Sequence, residues 1–259
     1  MKMGTLLISA CLLCLIILVI FLFSDEHLKG NYSDIVLKGN NSKRVIILPG
    51  MTGTPLPFEE LAKKLNNDGY SVVVPLFKNH GETLSQLRRT SIQELEEQVR
   101  TIINSSSEKT IIVAECSSSL IALKLADELK LPLVLINPPL NAKYELITWL
   151  ILPYLPRFDI GLLKDKSQLS RVPRFHKYPT NFLRDQKRYR DTVRLNTTVP
   201  MLIFHSKNDI RAPYSGVKML ASVAPNSEIF TLNNSGHLPY LDFERDVFYD
   251  KLKEFLDKQ

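Results

Sequence analysis

The stretch that most constrains this chain is Ile111-Ile112-Val113-Ala114-Glu115-Cys116-Ser117-Ser118-Ser119-Leu120. A run of β-branched residues suits a strand buried on both faces. It ends in small residues, and Leu120-Ile121-Ala122-Leu123-Lys124-Leu125-Ala126 then follows a helical pattern. A buried strand that enters a helix within so few residues must turn sharply, and only small side chains are tolerated around such a turn. Cys116 stands at the apex, with Ala114 and Ser118 on either side. Taken alone, the thiol reads as a buried structural cysteine, since free Cys is among the most buried residue types. A nucleophile needs partners from elsewhere in the chain, so the other segments decide.

Those segments alternate. Strands are expected at residues 44–48, 71–75, 110–114, 131–136, 201–205 and 228–232, with a short edge strand at Ile35–Leu37. Helices are expected at 55–65, 91–103, 117–129, 214–221 and 244–256. Pro55 suits a helix start, where its missing N–H costs nothing, and Gly69 suits a helix end. Alternation of this kind predicts an α/β architecture: a mostly parallel central sheet with helices on both faces. Residues 141–195, rich in Pro, Tyr, Arg and Lys, break the pattern and read as an inserted cap within one domain spanning 43–259. With 44% hydrophobic and 23% charged residues, the composition excludes a disordered chain.

The N-terminus reads differently. Gly4 to Phe23 is apolar and uncharged, the length of a membrane-spanning helix. Ser24-Asp25-Glu26 is a poor cleavage site, so an uncleaved single-pass anchor is expected over 1–28, with a polar tether at 29–42. Ile8-Ser9-Ala10-Cys11 resembles a lipobox but sits too early. The flanking charges favour a domain lying outside the cytoplasm. The net charge of +6 comes without a basic and aromatic stripe, which excludes nucleic acid as the expected partner. Of the three cysteines, Cys11 and Cys14 lie in the apolar segment, so the globular part has one thiol and no internal disulfide.

Four further segments resemble the α/β-hydrolase superfamily, in particular its carboxylesterase and monoacylglycerol-lipase branch. Leu48-Pro49-Gly50-Met51-Thr52-Gly53-Thr54-Pro55 is similar to an L-H-G-F-T-G-T-P oxyanion loop. Gly69-Tyr70 through Asn79-His80-Gly81 is similar to G-Y-x-V-x-x-P…G-H-G. Residues 204–213, with Asp209, look like the acid loop, and Asn234-Ser235-Gly236-His237 looks like the histidine loop. The order nucleophile, acid, histidine is that of the superfamily. The resemblance implies Cys116 as nucleophile, His237 as general base and then acid, and Asp209 as the group that orients it. It implies an oxyanion hole from the backbone N–H groups of Met51 and Ser117. Leu146, Trp149, Leu150 and Tyr154 of the cap are expected to give an apolar wall that binds the acyl chain.

Several positions depart from the family pattern. Cys replaces Ser at the nucleophile, as in dienelactone hydrolases; Pro49 replaces the oxyanion-loop His; Ser117–Ser119 replace x-G-G; and Glu115 puts a carboxylate beside the thiol. His80 and His205 read as structural. No H-E-x-x-H, Cys/His cluster or Walker-type loop is present, so no metal or cofactor is expected. The expectation is a membrane-anchored hydrolase of carboxylic esters or thioesters, with a small-molecule or lipid ester as substrate. The alternatives are an inactive binding module on the same fold, and acyl transfer on the same triad.

Overall fold

The computed structural model describes residues 2–50, 52–140, 154–156, 168, 171–175, 177–209 and 211–259. Its centre is a seven-stranded sheet built from Ile35–Leu37 (β1), Lys43–Leu48 (β2), Ser71–Val74 (β3), Lys109–Glu115 (β4), Leu133–Ile136 (β5), Met201–Ser206 (β8) and Ser227–Leu232 (β9). The order across the sheet is β1-β3-β2-β4-β5-β8-β9. Every pairing is parallel except β1 with β3, where Ile35 lies opposite Val74. Tyr154–Pro156 (β6) and Lys177–Pro179 (β7) make a separate antiparallel ribbon.

Burial on both faces explains the unbroken apolar runs. Val45 and Ile47 of β2, with Ile111 and Val113 of β4, pack towards Glu59–Asn67 (α2) and Arg245–Lys258 (α8). Ile46 and Leu48, with Ile112 and Ala114, pack on the opposite side with Ile92–Asn104 (α4) and Ser119–Leu129 (α5). The period of two sends alternate side chains to two different cores, and all eight of these strand residues are 0% exposed.

The observed ends follow local chemistry. β5 starts at Leu133 rather than 131 because Pro132 has no N–H to give; its carbonyl instead accepts from Ile112 N at 3.1 Å. The helix expected from Pro55 begins as a 3₁₀ turn, Leu56–Phe58, before α2. α4 is N-capped by Ser91, which exchanges bonds with Glu94 in a capping box. The same device at Thr83 and Gln86 makes a one-turn helix, Leu84–Leu87 (α3), in a stretch for which no element was expected. Inside the expected cap, Thr180–Arg190 (α6) is helical and lies against the body: Tyr189 Oη is 2.8 Å from Glu96 Oε2 on α4, and Phe182 is 2% exposed. Tyr214–Val223 (α7) follows β8.

The N-terminal expectation is corrected. Lys2–Phe23 is helical (α1), but among the described residues no helix is long and apolar enough to cross a membrane. The single-pass anchor, the membrane partner and the placement outside the cytoplasm are withdrawn with it.

Candidate active site

The site lies at the carboxyl ends of the parallel strands, where loops from separate strands converge. β4 delivers Glu115 in extended geometry, and Cys116 then takes φ +53°, a left-handed conformation that costs a non-glycine residue energy. Cys116–Ser118 forms a 3₁₀ turn leading into α5. The sharp turn read from the sequence is therefore present, with the thiol half-buried at its apex. The two serines that replace glycines fit because their hydroxyls fold back onto the backbone. Ser118 Oγ lies 2.7 Å from Glu115 O and 2.9 Å from Leu48 O, and Ser119 is fully buried beside Ala114 O.

Gly50 shows how closely the neighbouring loop approaches. A Cβ there would stand 2.9 Å from Glu115 Oε1 and 3.0 Å from Cys116 Cβ. Its N–H donates to Glu115 Oε2 at 3.0 Å, so the unexpected carboxylate is bound by the very loop expected to hold an oxyanion. Ser117 follows Cys116 and is half-buried. Met51, Trp149 and Leu150 lie outside the described residues; Tyr154 is placed by its backbone in β6, opposite Pro179.

Asp209 follows β8, and its Oδ1 accepts from Arg211 N at 2.8 Å. His237 follows β9. Its Nδ1 lies 2.7 Å from Asp209 Oδ2, and the two side chains are 3% and 0% exposed. Its Nε2 lies 3.6 Å from Glu115 Oε1. One donor atom each from Glu115, Cys116 and His237 falls within 4.8 Å of the others. Burial alone would lower the imidazole pKa. The charge of Asp209, then that of Cys116, and hydrogen bonds to both outweigh it, and hold the ring well above its ordinary value. The three residues read as a triad are thus neighbours in space.

Sequence reasoning missed two residues here. Asn137, at the end of β5 with φ +48°, is fully buried. Its Nδ2 donates to His237 O at 2.8 Å, while its Oδ1 accepts from Ser206 N at 2.8 Å, tying the histidine loop to two strand ends. The one sequence signal was an Asn, a residue tolerant of left-handed geometry, just before Pro138-Pro139. Tyr240 is stacked on Phe58 with ring centroids 4.4 Å apart, and its hydroxyl bonds Glu115. Burial, then the charges of Glu115 and Cys116, push the phenol well above its usual range, so it stays a donor. His80 and His205 are buried as expected of structural residues: His80 bonds Lys78 O at 3.0 Å and His205 stacks on Tyr214.

No protein-family profile matches the chain. A carboxylesterase of Bacillus subtilis (strain 168) is 25% identical over 228 residues, which span 83% of this chain and 93% of that protein. Among solved structures, one from work on LipS and LipT, metagenome-derived lipolytic enzymes, superposes with a TM-score of 0.76 at 18% identity, covering 90% of this chain and 100% of that one. A monoacylglycerol lipase of Paleococcus ferrophilus superposes at 0.74 with 16% identity, covering 88% of this chain and 98% of that one. At such identities these structural likenesses speak for the fold. With the strand order above, they give this chain the α/β-hydrolase fold.

Proposed function

We propose that the chain hydrolyses carboxylic esters or thioesters, with Cys116 as nucleophile, His237 as proton carrier and Asp209 as its orienting partner. The observation that carries this reading is the single imidazole held by Asp209 on Nδ1 and facing the thiol with its other nitrogen. The likeness to a carboxylesterase supports the substrate class.

In this mechanism Cys116 gives its proton to His237, and the sulfur attacks the carbonyl carbon. Negative charge moves to the carbonyl oxygen, which takes hydrogen bonds from the backbone N–H groups of Ser117 and Met51. The imidazolium, stabilised by Asp209, protonates the departing alcohol or thiol and leaves an acyl thioester on Cys116. His237 then takes a proton from water as the water attacks that thioester, and the sulfur leaves with the proton returned. Trp149, Leu150 and Tyr154 are assigned to the acyl wall from their place in the insertion between β5 and β8. Replacing Trp149 and Leu150 with Ser should shift the preferred acyl length while sparing acetyl esters.

The test is turnover of p-nitrophenyl acetate and butyrate, and of a butyryl thioester. Cys116→Ala should lose activity by about a thousandfold or more, while Cys116→Ser keeps a measurable fraction. Equal turnover by the parent and Cys116→Ala would overturn the assignment.

A further inference from the structure

We propose that Glu115, Cys116 and His237 bind a thiophilic divalent cation of the Zn²⁺ class, and that its binding silences the thiol. Ester hydrolysis leaves Glu115 without a role, because it sits on the far nitrogen of the base, where a serine or cysteine hydrolase requires only the nucleophile. A cation gives it one. The three side chains offer a carboxylate, a thiolate and an imidazole, a donor set suited to Zn²⁺, within 4.8 Å of one another.

The spacing agrees with that set. Ligand bonds of about 2.0–2.3 Å in tetrahedral geometry place neighbouring donor atoms about 3.3–3.8 Å apart. Glu115 Oε1 and His237 Nε2 are already 3.6 Å apart. Both are also oriented from behind. Asp209 accepts from Nδ1 at 2.7 Å, which leaves Nε2 to ligate and completes a carboxylate–histidine–metal arrangement. Gly50 N at 3.0 Å and the Tyr240 hydroxyl fix the Glu115 carboxylate. Cys116 is half-buried while the other two are buried, so a cation enters on the sulfur side and keeps a fourth position for water. Binding releases the thiol proton, and any proton on Nε2, to solvent. The nucleophile and the base are then both ligands. The silencing half of the proposal rests on the hydrolase reading; the binding half does not.

The chain has three cysteines, so the experiment uses the full chain with Cys11→Ser and Cys14→Ser, leaving Cys116 as its one thiol. Co²⁺ is titrated as the optical probe, Zn²⁺ is used to displace it, and iodoacetamide alkylation of Cys116 is timed with and without Zn²⁺. The expected result is one Co²⁺ per chain with a thiolate-to-cobalt band, absent in Cys116→Ser, and binding at least about tenfold weaker in Glu115→Gln. Zn²⁺ should protect Cys116 from alkylation and stop ester turnover, with recovery on chelation. A band that persists in Cys116→Ser, or alkylation unaffected by Zn²⁺, would overturn the site. Unchanged ester turnover at saturating Zn²⁺ would overturn the silencing. The cobalt and alkylation readings do not depend on turnover, so failure of the hydrolase reading is seen separately.

Discussion

Asn137 carries the sharpest prediction at the scale of the residue. Its side chain joins β5, β8 and the histidine loop through bonds of 2.8 Å to Ser206 N and His237 O. Asn137→Ala removes both in a fully buried place, at a cost of about 1–3 kcal/mol, and adds strain at a left-handed φ. Esterase kcat should fall about tenfold or more with KM little changed, because the loss acts on His237 rather than on substrate. Steady-state kinetics with a parallel urea melt check this. The three residues proposed as a triad could be singled out in sequence because such members must appear in one order, after particular strands, with small residues around the proposed nucleophile. Asn137 and Tyr240 were not, because a buried polar side chain acquires its role only from partners distant in sequence. Glu115 was noticed, but its bond to Gly50 N depends on how closely two loops approach, which no local pattern records.

At the scale of the element, strands were read well because a parallel sheet buried on both faces leaves unbroken runs of Val, Ile and Leu. The expected 44–48 falls one residue short of β2 at its start, and 110–114 falls one residue short of β4 at each end. Elements whose signals are caps rather than periodicity, such as α3, were not read. The boundary between the N-terminal segment and the domain is also not sharp. Leu28 N bonds Glu82 O, Leu84 N bonds Glu26 O, and the fully buried Lys177 of β7 reaches Ser24 O, Ser24 Oγ at 3.1 Å and Glu26 at 3.6 Å. A chain beginning at Lys29 loses the Ser24 and Glu26 contacts to a buried ammonium. It should be less stable than one beginning at Ser24 by about 1.5–3 kcal/mol. Urea midpoints of the two truncations check it; equal midpoints would show that residues 24–28 contribute nothing to the domain.

Across the whole molecule, the two-sided α/β plan was legible from alternation alone, whereas the expected N-terminal anchor was not borne out: among the described residues no helix is long and apolar enough to cross a membrane. Stability against pH is also a property of the whole. Buried His80 has its pKa lowered to about 4, because burial outweighs its bond to Lys78 O. The folded state therefore keeps it neutral while the unfolded chain takes up a proton near pH 6.5. Stability from this group is full above pH 6.5 and is lost as pH falls from 6.5 towards 4, by on the order of 3 kcal/mol. In His80→Gln, the loss over that interval should shrink accordingly, as read by urea melts at each pH. The central chemical claim, that Cys116 carries the acyl group, is tested most directly by intact-mass and peptide mass spectrometry after mixing with p-nitrophenyl butyrate and quenching in acid. The predicted result is one butyryl group per chain, on Cys116, formed with a stoichiometric burst of p-nitrophenol and strongly slowed in His237→Ala. Ester turnover with no acyl group on Cys116 at any quench time, or a butyryl group that forms equally fast in His237→Ala, would contradict it.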